Sequence, residues 1–179
     1  MKTILITGFD GLRIIEANVC KDTRGLFLKT FNQSVFLDLG LETNYKERYY
    51  SKSRGNVIRG MHFHTPPYDH VKTVNVLHGA ILDVVVDIRK ESPSYKQYFT
   101  TELNDSDGRF LYIPKGFAHG FKALTDNAIV EYNQTSEYNK EADCGIRWDS
   151  FGFDWQTGNP TISERDCKFP ALNNFVSPF

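Results

Sequence analysis

The feature that most restricts the fold of this chain is the way turn-forming clusters cut it into short apolar and β-branched runs. Such runs fall near 12–19, 26–31, 45–52, 57–64, 71–77, 80–88, 95–103, 109–113 and 128–135, with "DTRG", "SRGN", "HG", "NDSDG" and "TDN" between them. Glycine, asparagine and aspartate tolerate the backbone angles of tight turns, whereas Val, Ile, Tyr and Phe fit a pleated, half-buried surface. One segment breaks the pattern: "NQSVFLDLG", with Asn32 or Ser34 as N-cap and Gly40 as a stop, reads as a short helix. The expectation is an all-β sandwich or barrel with a short N-terminal helix and an irregular C-terminal segment.

A length of 179 residues suits one domain, residues 1–179, with a sizeable core. Lys and Arg number 21 against 22 Asp and Glu, so there is no basic face for nucleic acid, and an anionic ligand must be held by a few placed cations. The apolar run in "MKTILITGFDG" is too short for a membrane span and lacks a cleavage signature, which leads us to expect a cytoplasmic protein with no membrane partner. The same stretch echoes a dinucleotide-binding turn, but Gly8 and Gly11 lack the third, helix-packing glycine, and strand, turn and strand follow instead of a helix. Cys20, Cys144 and Cys167 are spaced as free thiols, not as a disulfide framework or a zinc knot.

The chemistry is concentrated in "RGMHFHTPPYDHVKTVNVLHG". On a strand His62 and His64 share a face, and in the next strand Lys72, Val74 and Val76 share one that the valines turn inward. His119 follows in "YIPKGFAHGF". The His-x-His pair, the six residues between Lys72 and Gly79 and the later P-x-G-x-x-H stretch resemble the cupin superfamily, which implies a jelly-roll β-barrel. The slot of the cupin metal-binding glutamate holds Lys72, and an ammonium donates hydrogen bonds and repels a divalent cation. No metal and no cofactor are therefore expected. An imidazole and an ammonium in a barrel mouth suit removal of a proton next to a ketone, with the cation stabilising the enolate. Tyr132 in "AIVEYNQTSEY" shares strand parity with Val130 and Ala128, so its phenol is placed to return a proton from the other side.

The segments "RGMHF", "VVVDIR", "SPSY", "IPKGFAHGF", "EYNQTSEY", "GIRWDS" and "SERD" are together similar to the dTDP-4-dehydrorhamnose 3,5-epimerases and their relatives that epimerise nucleotide-linked 4-keto-6-deoxy sugars. The likeness runs from about Thr23 to Asp166. It implies His62 as catalytic base with Asp166 as its carboxylate partner, Lys72 as enolate stabiliser, Tyr132 as proton donor and His119 as a sugar contact. It further implies Arg24 and Arg59 on the diphosphate, Tyr138 in the nucleotide site, and a homodimer in which an N-terminal strand carries Arg24 into the partner's mouth. Strict alternation puts Arg59 opposite His62, so its role requires a bulge near Gly60. The chain departs from the family at the rim: Lys29 stands where glutamate is usual, Glu47 and Tyr49 replace a Q-x-N pattern, and His64 replaces a common glutamine. A 3,4-ketoisomerase on the same fold and a metal-dependent oxygenase using His62, His64 and His119 remain the alternatives.

Lys72 needs a counter-ion if it is to stay charged in a barrel. If "LHGA" closes a hairpin, Lys72 faces Val85 across the ladder and Asp83 lies diagonally within reach. The competing expectation is that Asp83 faces solvent.

Overall fold

The computed structural model describes residues 3–179. Strands β1 (Thr3–Ile6) and β2 (Arg13–Glu16) flank the "ITGFDG" turn, and β3 (Val19–Asp22) and β4 (Gly25–Leu28) flank "DTRG". Helix α1 (Gln33–Asp38) is capped by the Asn32 side chain, which accepts a hydrogen bond from the Val35 N–H, and Gly40 follows with a positive φ. Then come β5 (Glu47–Ser53), β6 (Ile58–His64), β7 (Lys72–His78), β8 (Ala80–Asp87), β9 (Tyr98–Asn104), β10 (Arg109–Ile113), β11 (Phe117–Ala123), β12 (Ala128–Gln134) and β13 (Asp143–Gly145). The C-terminal segment is largely irregular, with a short helix α2 (Glu164–Cys167) and a 3-10 turn at Leu172–Asn174. No helix among the described residues is long and apolar enough to cross a membrane.

The strands form two facing antiparallel sheets, β1-β2-β10-β7-β12-β5 and β13-β6-β11-β8-β9, while among the described residues β3 and β4 pair only with each other. Alternation decides which side chains fill the space between the sheets. Val74 and Val76 of β7, Val130 and Tyr132 of β12, Val85 of β8 and Phe121 of β11 meet there. The outer faces are apolar as well, because other parts of the chain cover them. Val84 and Val86 pack under Ile146, Trp155 and Leu172 of the C-terminal segment, and Ile15, Phe110 and Tyr112 pack under Phe36 of α1. The run "AILDVVVDIR" is thus apolar on both faces.

The fold corrects the sequence reading in three places. β1, β11 and β13 are strands that the apolar runs did not mark. The expected 95–103 run is a strand only from Tyr98. Most consequential is the connection at Gly79: β7 pairs with β10 and β12, and β8 pairs with β9 and β11, so the chain crosses from one sheet to the other there. Lys72 lies opposite Ile113 and Gln134, not Val85.

Candidate active site

A cavity of about 340 Å³ opens between the two sheets. From the five-stranded sheet, β6 and β11 contribute His62 and His119, which are directly opposite each other in the ladder. From the six-stranded sheet, β7 contributes Lys72 and β12 contributes Tyr132. The two groups of side chains face each other across the cavity.

Between the pairs His62↔His119 and Arg59↔Phe121, strand β6 has two residues where β11 has one. That bulge includes Gly60, at φ +133, where a Cβ would stand 2.5 Å from the Gly120 Cα. It turns Arg59 to the same cavity as His62. The Arg59 Nε–H donates to Ser53 Oγ at 3.0 Å.

His62 is tied down from behind. Its Nε2 donates to Asp166 Oδ1 at 2.8 Å, and the Gly60 N–H donates to Asp166 Oδ2 at 3.1 Å. The Ser163 hydroxyl caps α2 by accepting from the Asp166 N–H. Burial works to raise the Asp166 pKa, but the bond and charge of His62 and the Gly60 and Ser163 contacts outweigh it, so the carboxyl sits below its ordinary value and is ionised at neutral pH. With Nε2 committed to Asp166, Nδ1 is the ring nitrogen left without that partner.

Lys72 is buried, and burial pushes its ammonium down to about 8 against the pull of Asp143 and Asp83. Asp83 is not solvent-facing; it is 1% exposed. Nor is it paired directly with Lys72: its Oδ2 accepts from His119 Nε2 at 2.9 Å, and its Oδ1 has no hydrogen-bond partner. The expected Lys72–Asp83 ion pair is therefore replaced by an Asp83–His119 pair, because Asp83 approaches from the opposite sheet. Burial also lowers the His119 pKa, against the influence of Asp83. His119 is thus neutral at pH 7, and Asp83 pulls on the Lys72 ammonium without pairing with it.

The Tyr132 phenol is held well above its ordinary pKa, chiefly by burial, with a bond to Ser51 opposing and the Tyr49 phenol adding to the rise. It keeps its proton. Glu47 accepts from the Gln134 side chain at 2.9 Å and from the Tyr138 N–H at 2.6 Å, and both Glu47 and Tyr138 line the mouth. His64 lines the cavity with its Nδ1 unpartnered, edge-on to His70.

Arg24 and Lys29 do not line this cavity. Arg24 sits at the tip of the detached β3–β4 hairpin, bound to Asp22, and Lys29 is exposed beyond β4. Tyr49, read from the sequence only as a departure at the rim, lines it too, and sequence reasoning missed Ser51, Gln134, Asp143 and Arg165, which also line it. Gln134 shares the inward parity of Tyr132 and Arg165 adjoins Asp166, so both had a local signal; Asp143, ion-paired to Arg165 at 2.7 Å, had none. Among the described residues no group of three or more His, Cys, Asp or Glu side chains is arranged to hold a metal ion. The ammonium of Lys72 is a poor neighbour for one.

The cavity lies in a cupin-like double sheet and brings together a histidine–aspartate pair, a lysine and a tyrosine. The family model for dTDP-4-dehydrorhamnose 3,5-epimerase matches residues 6–174. A dTDP-4-dehydrorhamnose 3,5-epimerase of Methanothermobacter thermautotrophicus is 42% identical over 171 residues, spanning 93% of this chain and 92% of that protein. The Bacillus anthracis enzyme crystallised with TDP and pyrophosphate superposes with a TM-score of 0.92 at 34% identity, over 95% of this chain and 99% of that one. The Legionella pneumophila enzyme in complex with dTDP-4-keto-L-rhamnose gives 0.91 at 33% identity, over 97% and 94%. This chain belongs to the dTDP-4-dehydrorhamnose 3,5-epimerase family.

Proposed function

We propose that this epimerase acts at C3 and C5 of a nucleotide-diphosphate 4-keto-6-deoxy sugar, a dTDP sugar as in its relatives, in deoxysugar biosynthesis for surface polysaccharide. The observation that carries the mechanism is that His62 and Tyr132 stand on opposite sheets. A sugar ring lying between them presents one face to the imidazole and the other to the phenol. His62 Nδ1 takes the proton from the carbon next to the ketone and becomes an imidazolium, which Asp166 supports. The electron pair moves to the carbonyl oxygen, where the Lys72 ammonium stabilises the enolate. Tyr132 then donates its proton to that carbon from the opposite face and becomes a phenolate. Return of the imidazolium proton to the phenolate through solvent restores the enzyme. No cofactor enters this cycle.

His119 and Asp83 hold the sugar side of the site, Arg59 and Arg165 at the mouth neutralise the diphosphate, and Tyr138 and Glu47 border the nucleotide. A second copy completes the site. The β3–β4 hairpin is detached from both sheets, exposes Leu26 and Phe27 (65% exposed) and carries Arg24 at its tip, which suits exchange into a partner's mouth in a homodimer. Lys29 travels with that hairpin. Each copy acts as one domain, and the enzyme works in the cytoplasm.

The test is exchange against inversion in heavy water. His62→Ala should lose both deuterium uptake and inversion, whereas Tyr132→Phe should keep exchange and lose inversion. Equal loss of both in the tyrosine variant would remove Tyr132 from the donor role.

A further inference from the structure

The proton donor is poorly anchored at its functional end. Among the described residues the Tyr132 hydroxyl has one hydrogen-bond partner, Ser51 Oγ, at a long 3.4 Å. The position of the phenol therefore depends on what holds its ring. The His119 ring meets it edge-on with centroids 6.2 Å apart. The closer neighbour is Tyr49, directly opposite Tyr132 in the β5–β12 ladder, with centroids 4.9 Å apart and planes inclined by 21°. Cross-strand aromatic pairs of this kind fix each other's side-chain torsions.

Tyr49 is itself tethered. Its hydroxyl donates to Gln134 Oε1 at 3.4 Å, and the Gln134 amide donates in turn to Glu47 Oε2. Glu47, Tyr49 and Ser51 alternate along one face of β5 and all line the cavity. That strand lies at the edge of its sheet, so nothing beyond it in the same sheet restrains the Tyr132 ring.

We propose that Tyr49 is a positioning residue for Tyr132, its stacked ring holding the phenol where the carbanion is reprotonated and so setting the fraction of exchange events that end in inversion. The inference rests on the donor role of Tyr132 given above. Without the stack the phenol swings among rotamers, the enolate waits, and His62 returns a solvent-derived proton to the original face. Deuterium still enters the sugar, but configuration is retained. The quantity to read is inverted product per deuterium incorporated, which does not depend on how much of the enzyme is folded.

The experiment compares Tyr49→Val, Tyr49→Ser and Tyr49→Phe in heavy water with the dTDP-linked 4-keto-6-deoxy sugar, scoring label and configuration at C3 and C5 by NMR. Two ring-deleting variants are used so that misfolding of one leaves the other informative. Inversion per exchange should fall about fivefold in the valine and serine variants, the order of effect a stacked pair exerts on a rotamer balance, and Tyr49→Phe should restore it. An unchanged ratio in a ring-deleting variant, or an equal fall in Tyr49→Phe, would overturn the inference. Tyr132→Phe runs alongside: if it retains the wild-type ratio, the donor assignment itself fails and this inference falls with it, whereas a low ratio there with no effect at Tyr49 refutes the stacking role alone.

Discussion

Replacing Asp83 by asparagine removes one negative charge from the interior without removing the hydrogen bond, because an amide oxygen still accepts from His119 Nε2. What changes is the field at Lys72. Asp83 forms no ion pair with Lys72 within 4.0 Å, and two unit charges at that limit attract by about 4 kcal/mol at an effective dielectric near 20. Even a third of that figure, about 1.4 kcal/mol, moves a pKa by one unit. The Lys72 ammonium, already pushed down to about 8 by burial, would then titrate near about 7. At pH 8 the charged fraction falls from roughly half to roughly one tenth, so turnover should drop about five- to tenfold, and the deficit should shrink as pH is lowered. The assay is kcat/KM against pH, whose alkaline limb reports the essential acid of the free enzyme, with dTDP affinity measured in parallel and expected to change little. If folded Asp83→Asn keeps the wild-type alkaline limb, Asp83 does not support Lys72, and the substrate's own charge does so instead.

Lys72→Met should inactivate the enzyme yet stabilise its fold. The folded ammonium titrates near 8 against an ordinary 10.5, so the unfolded chain binds more protons between those values, stability rises with pH across that window, and below pH 8 the burial cost is on the order of 3 kcal/mol; a methionine variant less stable than wild type to urea at pH 7 would show that this cost is absent. Activity should survive exhaustive chelation; loss that is restored by added iron or manganese would favour metal chemistry over acid–base chemistry. Mixing inactive His62→Ala with inactive Arg24→Ala should regenerate activity through heterodimers with one intact site, and no recovery despite verified subunit exchange would confine the site to one chain.

Local chemistry was legible in the sequence wherever a side chain's direction followed from strand parity. Lys72, Val74 and Val76 point inward together, Tyr132 lies inward with Val130, and the bulge that Arg59 requires is present at Gly60. Strand β11 was hidden because it carries glycine where an apolar run would announce it. Gly120 is required there, since a Cβ would come 2.6 Å from Met61 Sδ and 2.7 Å from the Arg59 carbonyl oxygen. The crossing at Gly79 was illegible for a different reason: "LHGA" has the local signature of a hairpin, and whether the next strand pairs back or joins the facing sheet depends on which distant strands are available to it. The consequence reaches the chemistry. A β7–β8 ladder would set Asp83 and Lys72 side by side on one wall, whereas the crossing sets them on facing walls, with the neutral imidazole of His119 held by the carboxylate. The same separation of sheets places His62 and Tyr132 on opposite sides of the cavity, which adjacent residues on one sheet face could not achieve, and inversion at a carbon needs a base and an acid so disposed.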